Sequence, residues 1–475
     1  MKICLVLEGS YPYVRGGVSS WVDAFIRNRP DHDFVLWTIG DFEDKRGQYV
    51  YDIADNVVLI QENFLASALQ LRVKKSKNIR FTDPEREAIR QLIYCQQPNW
   101  RLLEEVFQER AMNPVEFLMS EDFLTILKDF AIQEYPFVGF LDLFWTVRSM
   151  FLPLLYLMTR PIAEADLYHS LSTGYGGALG SLASIKYNKP FVLSEHGIYT
   201  REREEEILLS EWVSPHLKQL WISMFQMYSR FCYHTAHRVT SLFGRASKIQ
   251  QEMGCPPDKC DVVGNGILVH GYSSIPPKPA SGWIDIGAIV RIAPIKDIKT
   301  LLYTFSSLKR EIKNVRLHII GPVVDEEYYQ ECLSLIAFYD VQDVIFAGIV
   351  DTRTYLEGID FTVLTSISEG QPFALIESMA ARRPVIATNV GNCRELTEGA
   401  AGDHFGTAGI CVPPMDQAEL LYALRELCRN AELRKNMGEV GYQRVSTFFD
   451  LDEMLSKYSA TYEKATLQWQ ALASN

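Results

Sequence analysis

Short, mostly apolar runs alternate along most of this chain with longer stretches in which apolar residues recur every three or four positions. Ile3 to Leu7 (Ile-Cys-Leu-Val-Leu) is the first such run. Five apolar residues without polar alternation predict a strand buried on both faces, as in a parallel sheet. Val18, Trp21, Val22, Phe25 and Ile26 then recur at helical spacing after a glycine-rich loop. The same rhythm predicts strands at 34–39, 56–60, 165–171, 190–194 and 238–242, with helices over 213–236 and 245–253. It continues with strands at 284–290, 316–321, 344–346, 361–364 and 385–388, between helices at 298–311, 326–338, near Tyr355 and at 372–381. Strands separated by helices of this length require right-handed crossovers and a parallel sheet.

Between about 62 and 160 the pattern turns helical, with predicted helices at 85–94, 100–110, 121–132 and 138–158. This reads as a helical insertion in the first of two α/β domains. Its last segment, Gly139 to Met158, is the most apolar in the chain, but Asp142, Arg148 and Pro153 interrupt it. No uncharged run reaches the roughly 18 residues that span a bilayer, so a buried core helix is expected, with docking on a membrane partner as the alternative. A Pro/Ser/Gly cluster at 273–282 predicts the linker. The expected organisation is a first domain over 1–272, the linker 273–282, a second domain over 283–450, and a helix over 451–475 that crosses back to the first domain.

Composition narrows the function. At 475 residues the chain is long enough for two or three domains. Lys and Arg total 47 against 59 Asp and Glu, a net charge of −12 that would repel a phosphate polymer, so nucleic acid is not expected as a partner. Nine scattered cysteines predict reduced thiols rather than a disulfide framework. Cys255 and Cys260 have no second pair beside them, which disfavours a zinc site. Glu8 ends the first apolar run too early for a signal peptide, so a cytoplasmic protein is expected.

The stretch Leu364 to Glu377 (Leu-Thr-Ser-Ile-Ser-Glu-Gly-Gln-Pro-Phe-Ala-Leu-Ile-Glu) carries the first candidate chemistry. A strand runs through a Ser-Glu-Gly turn to Pro372, expected at the first helical position. The new helix would offer free amides and a positive dipole end to a phosphate, between the carboxylates Glu369 and Glu377. Two acids around an anion site outline a sugar nucleotide. Positive charge comes from Arg291 and Lys296 after the strand at 284–290, a pair able to clamp a diphosphate. Gly16 and Gly17 open a helix after the first strand, which allows either close approach of a ligand or simply a tight turn. His196 ends another strand, where open α/β sheets face their ligands. Gly174, Gly176, Gly177 and Gly180 nearly form a dinucleotide fingerprint, but Leu179 stands where its third glycine belongs, so a close strand–helix turn is expected.

Arg291, Lys296 and the Glu369-x7-Glu377 pair resemble the retaining family 4 glycosyltransferases of GT-B fold. More narrowly, Glu8-Gly-Ser-Tyr-Pro-Tyr-Val-Arg-Gly-Gly-Val-Ser-Ser-Trp21, Glu195-His-Gly-Ile-Tyr-Thr-Arg-Glu-Arg203, Pro294-Ile-Lys-Asp-Ile-Lys-Thr300 and Val390-Gly-Asn-Cys-Arg-Glu-Leu396 are similar to the PelF-like members of that family, cytoplasmic enzymes of bacterial Pel exopolysaccharide synthesis. The resemblance implies two Rossmann-like domains facing a central cleft. It implies transfer of a hexose from a UDP-sugar, UDP-glucose favoured, to a saccharide acceptor, with inner-membrane polysaccharide synthase components as partners and a peripheral location there. Arg291 and Lys296 should bind the diphosphate, Glu377 the ribose, Glu369 the hexose, and Gly370, Pro372 and Phe373 the sugar and phosphate. Gly16, Gly17 and His196 should meet the donor from the first domain. No metal or other cofactor is expected, and Asp31-His-Asp33 and Asp450-Leu-Asp452 are discounted as metal motifs. Leu268 departs from the Asp that usually follows Asn-Gly-Val/Ile in the family. A sugar-nucleotide epimerase and a weakly active scaffold subunit of a membrane synthase are the competing readings.

Overall fold

The computed structural model describes residues 1–72, 80–279 and 281–473. Parts of three expected segments lie outside them: 73–79 of the helical insertion, residue 280 of the linker, and 474–475 of the final helix. The chain forms two compact units, Met1–Val262 with Tyr458–Asn475, and Val263–Lys457.

In the first unit the apolar runs become β1 (Lys2–Glu8), β2 (Asp33–Gly40), β3 (Val57–Phe64), β4 (Leu167–Ser170), β5 (Phe191–Glu195), β6 (Arg238–Ser241) and β7 (Cys260–Val262). They pair in parallel in the order β3-β2-β1-β4-β5-β6-β7. The order reverses between β1 and β4, and the crevice at such a switch point, beyond the strands' carboxyl ends, is where doubly wound sheets bind ligands. Ile3, Cys4 and Leu5 are fully buried, as the unbroken apolar run predicts.

The helices Asp83–Ile93, Trp100–Gln108, Pro114–Leu118, Glu121–Glu134 and Phe140–Met158 fill the chain between β3 and β4. By length and composition Phe140–Met158 could cross a membrane. Its second half is core: Leu152, Leu154, Leu155 and Leu157 are at most 1% exposed, and each fully buried leucine contributes about 1.5–3 kcal/mol. The final helix, Leu451–Ala473, joins the first unit from Tyr458 onward. There Tyr458 and Tyr462 are buried against Phe25, and the Tyr462 hydroxyl lies 2.8 Å from Nδ1 of His169.

The second unit holds β8 (Ile284–Ile289), β9 (Val315–Ile320), β10 (Val344–Gly348), β11 (Phe361–Leu364), β12 (Val385–Thr388) and β13 (Gly409–Val412), again parallel, in the order β10-β9-β8-β11-β12-β13. Its switch point lies between β8 and β11. The change of unit falls at Val262/Val263, ahead of the linker expected at 273–282. Asn265 donates from Nδ2 to the Gln371 carbonyl at 3.0 Å, and helix Val269–Ser273 packs on helix Phe373–Ala380, so this segment is built into the second unit. Lys278, inside the expected linker, is paired with Asp285 and Asp360 at 2.5 Å each.

Four further differences have local causes. β7 and β13 end their sheets: β7 is three residues with Asp261 at its centre, and β13 is a four-residue run, Gly-Ile-Cys-Val, that follows a glycine-rich loop. Helix Tyr199–Leu209 buries only Thr200 and Ile207, so it has no apolar stripe. The helix expected over 213–236 begins at Lys218, because Pro215 opens a separate short turn. Pro372 is the cap of its helix rather than the first helical residue: at ψ 120° it remains extended, and the helix runs Phe373–Ala380.

Candidate functional site

At the second unit's switch point, β8 leads through Arg291 into a short turn at Pro294–Lys296. Asp297 then adopts a left-handed conformation (φ 44°) and caps helix Ile298–Glu311, its Oδ1 accepting from the Thr300 amide at 3.3 Å. β11 delivers the second loop, and the two are stitched together. Thr365 Oγ1 donates to the carbonyls of Lys296 and Asp297 at 3.0 and 3.2 Å, and the Ile367 amide donates to the Ile295 carbonyl at 2.9 Å.

These ties place Lys296 Nζ 2.5 Å from Glu369 Oε1, which also accepts from Ser366 Oγ at 2.6 Å. The pair is only 14% and 12% exposed. Such partial desolvation strengthens the attraction above that of an open surface pair. Arg291 is exposed and its guanidinium has no hydrogen bond or ion pair among the described residues. The two cations expected to act as one clamp are thus in different states, one engaged and one open.

The Glu369 loop is fixed from behind. The Asn392 amide donates to the Gly370 carbonyl at 2.9 Å, and Gly391 sits so close that a Cβ there would lie 2.1 Å from the Glu369 carbonyl oxygen. With φ at 53°, Gly391 also needs the left-handed freedom of glycine. Pro372 and Phe373 open the following helix, and the Gln371 side chain accepts from the Asn265 amide at 2.6 Å. Farther along the helix, burial pushes the Glu377 carboxyl up to about 7, against a hydrogen bond from the Tyr272 hydroxyl and the nearby Arg353 guanidinium.

In the first unit, Glu8 ends β1 at the switch point. Its Oε1 accepts from the Tyr199 hydroxyl at 2.9 Å, and its Oε2 from the Gly176 amide at 3.0 Å and Ser172 Oγ at 3.2 Å. One carboxylate thereby joins three segments. The glycines after β4 serve that packing: a Cβ on Gly174 would lie 2.5 Å from the Tyr199 ring, and one on Gly177 2.4 Å from the Ser172 carbonyl oxygen. Beside Glu8 opens a cavity of about 550 Å3, lined by Asp41, Tyr175, His196, Glu202, Arg203 and Trp212 among others.

His196 lines this cavity, its ring edge-on to Trp21 at 4.9 Å between centroids. Burial pushes its pKa down to about 4, so the imidazole is neutral near pH 7, and its Nε2 is buried with no hydrogen-bond partner among the described residues. The preceding residue, Glu195, belongs to the core instead: it accepts from Tyr233 Oη at 2.7 Å, Gln250 Nε2 at 2.8 Å and Thr173 Oγ1 at 3.4 Å. Gly16 caps helix Gly17–Arg27, whose Val18 lines the same cavity. Gly16 is extended (φ 172°) and a Cβ on it would meet nothing within 4 Å, so the protein's own packing does not demand glycine there.

The structure thus gathers Arg291, Lys296, Glu369, Gly370, Pro372, Phe373 and Glu377 on two loops and one helix of the second unit. Gly16, Gly17 and His196 lie around one end of the sheet in the first. Sequence reasoning missed Glu8 and Tyr199 as partners. A carboxylate directly after a buried strand was the available signal for Glu8, but it reads equally as the end of an apolar run.

Residues 284–430 match the family profile described as glycosyl transferases group 1, and residues 1–258 the one described as domain of unknown function (DUF3492). Among curated relatives, the MMP alpha-(1->4)-mannosyltransferase of Mycolicibacterium hassiacum is 25% identical over 297 residues, covering 60% of this chain and 68% of that one. The putative colanic acid biosynthesis glycosyltransferase WcaL of Salmonella typhimurium is 28% identical over 191 residues, 38% of this chain and 44% of its own length. The match therefore spans about two thirds of the first relative and less than half of the second. Among solved structures, Anabaena HepE in complex with UDP and glucose aligns with a TM-score of 0.61 at 14% identity over 98% of this chain and 99% of that one. Sucrose-phosphate synthase from Thermosynechococcus elongatus aligns with a TM-score of 0.60 at 14% identity over the whole of both. At such identity these likenesses show the fold. The chain belongs to the family described as domain of unknown function (DUF3492), matched over residues 1–258 of its 475, and with its glycosyl transferases group 1 region and two Rossmann-like units it is a glycosyltransferase of the GT-B fold.

Proposed function

We propose that this protein is a retaining, metal-independent hexosyltransferase that moves a sugar from a UDP-sugar, UDP-glucose favoured, to a growing exopolysaccharide of the Pel type. The observation that carries the reading is the Lys296–Glu369 pair at the switch point of the second unit, beside the start of helix Phe373–Ala380. A donor diphosphate draws Lys296 away from Glu369, recruits the open Arg291, and meets the amides that begin the helix. Glu369, still held by Ser366, then accepts from the hexose hydroxyls, and Glu377 from the ribose. The backbone of Gly370, Pro372 and Phe373 lies along sugar and phosphate. His196, neutral and with Nε2 unpartnered, offers a hydrogen bond to the transferred sugar without placing a second cation near an oxocarbenium-like centre, and Gly16 and Gly17 leave room for close approach.

As the bond from the anomeric carbon to the diphosphate breaks, Arg291, Lys296 and the helix dipole stabilise the departing charge. The acceptor hydroxyl attacks from the same face and its proton passes to the leaving phosphate oxygen, which retains configuration. The Pel-type assignment rests on the motifs at 8–21, 195–203, 294–300 and 390–396. Support comes from the names of two relatives, the putative colanic acid biosynthesis glycosyltransferase WcaL and the capsular polysaccharide biosynthesis glycosyltransferase CapM of Staphylococcus aureus. In this reading the enzyme works on the cytoplasmic side, beside inner-membrane synthase components.

The test is to incubate the protein with UDP-glucose or with an N-acetylated UDP-hexosamine, with and without hexosamine oligosaccharides, in the presence of a chelator. UDP release that needs the oligosaccharide supports the proposal. Conversion of the donor to its epimer without UDP release would make it an epimerase, and inertness towards every donor would leave a scaffold.

A further inference from the structure

Two of the nine cysteines are unlike the rest. Cys255 and Cys260 place their sulfurs 3.5 Å apart, and the Cys260 thiol also reaches the Pro256 carbonyl at 3.4 Å. Cys255 is 2% exposed, whereas Cys260 is only partly buried. Among the described residues no third His, Cys, Asp or Glu joins them in a metal-binding group.

The segment between them is held in place from both sides. Lys259 Nζ donates to the carbonyls of Tyr233 and His234 at 3.3 and 2.6 Å, and Arg238 Nη1 to the Asp258 carbonyl at 2.6 Å. Facing Cys260 are Cys255, Ser247 on helix Gly244–Glu252, Arg238 on β6, and Asp261 beside it. The sulfur–sulfur hydrogen bond, with help from Ser247 and Arg238, draws the Cys260 thiol down to about 7, whereas the same hydrogen bond and burial push Cys255 well above the usual thiol range. Of the two sulfurs, the more exposed Cys260 is the readier to ionise and its buried neighbour the readier to stay protonated. That is the division of labour of an attacking and a resolving cysteine.

We propose that Cys255 and Cys260 form a reversible disulfide, closed by hydrogen peroxide and reopened by a dithiol reductant, at the last strand of the first unit. The Cys260 thiolate attacks one peroxide oxygen; the O–O bond breaks, and the departing hydroxide takes a proton from solvent to leave as water. The resulting sulfenic acid is attacked by the Cys255 sulfur, the S–O bond breaks, and hydroxide carries off the Cys255 proton as a second water. One peroxide is reduced to two waters and two thiols are oxidised to one disulfide. The bond staples β7, which leads directly into Val263 and the second unit. The inference is independent of the glycosyl-transfer reading.

The full-length protein is treated with limiting hydrogen peroxide, quenched, alkylated under denaturing conditions and digested with trypsin, which cleaves after Lys259 and so separates the two cysteines. The expected result is loss of two alkylation sites and a peptide pair joined through Cys255 and Cys260, released by dithiothreitol. In Cys255→Ser, dimedone should trap a sulfenic acid on Cys260. Retention of both alkylation sites, or irreversible oxidation of Cys260 without the linked pair, overturns the proposal. The wild-type experiment alone decides it if the variant does not fold.

Discussion

Lys296 and Glu369 stand 73 positions apart in sequence, yet meet at 2.5 Å because the loops after β8 and β11 are tied by Thr365 and Ile367. The cation expected at the diphosphate and the carboxylate expected at the hexose neutralise one another when no donor is present. Each partner therefore has a role in the free protein as well as in the complex.

Lys296→Ala removes a charge-assisted contact to the diphosphate and should weaken UDP-sugar binding about 10- to 100-fold. Glu369→Gln should lower turnover more than affinity, because the amide still accepts one hydroxyl but leaves Lys296 without its partner. Calorimetry with UDP and with UDP-glucose, beside steady-state kinetics, separates the two effects. Undiminished turnover in Glu369→Gln removes that residue from the mechanism. A double-mutant cycle on the ligand-free protein should show coupling of about 1 kcal/mol.

Gly391→Ala tests whether the loop's position matters independently of its charges. The new Cβ would lie 2.1 and 2.4 Å from the carbonyl oxygens of Glu369 and Gly370, at a φ of 53°. Clash and strained backbone together should cost about 1–3 kcal/mol of stability. A raised KM for the donor in protein that still folds, seen by circular dichroism, is the expected signature. An unchanged KM would show that the loop tolerates displacement.

His196→Asn should lower kcat about 10- to 100-fold if its Nε2 meets the transferred sugar. The imidazole's pKa is pushed down to about 4 by burial, so it stays neutral from pH 5.5 to 8 and should add no inflection to the activity profile in that range. Overlaying normalised pH–rate curves of the two proteins checks this. An inflection near 6.5 lost in the variant would mean that the histidine titrates as if exposed.

Sequence reading and structure meet where local pattern decides the outcome. β1, β2 and β11 are largely apolar runs that favour burial, and their alternation with helices points to a parallel sheet in each half. β7 and β13 escape because an end strand needs little apolar surface, and helix Tyr199–Leu209 because its sequence is mostly charged. In the candidate site, Arg291, Lys296, Glu369 and Glu377 were readable as residues beside strand ends. Their pairing was not, since the Lys296–Glu369 contact depends on which two strands flank the switch point and on Thr365 bridging them. Glu8 shows the same limit: its three partners come from positions 172, 176 and 199. The cap at Pro372 turned on a single ψ angle, which sequence spacing does not encode.

The last prediction concerns Glu195, whose motif neighbour His196 lines the cavity while Glu195 itself is 3% exposed in a polar cluster. Burial pushes its carboxyl up to about 7, against hydrogen bonds from Tyr233 and Gln250. The folded state therefore holds a proton that the unfolded chain, with an ordinary glutamate, has already released above about pH 4.5. Since the folded state binds more protons in that window, this group's contribution makes stability fall as pH rises from about 4.5 to 7, and the loss is complete above 7. Glu195→Gln keeps an oxygen for Tyr233 and Gln250, turns an amide towards Thr173, and removes the ionisation. The variant should gain stability over the wild type with rising pH, by an amount on the order of 2 kcal/mol between pH 5 and pH 8. Thermal or urea unfolding of both proteins at pH 5, 6, 7 and 8 measures the difference. A difference that does not change with pH would show that Glu195 is already ionised in the folded protein, with Tyr233, Gln250 and Thr173 solvating its charge.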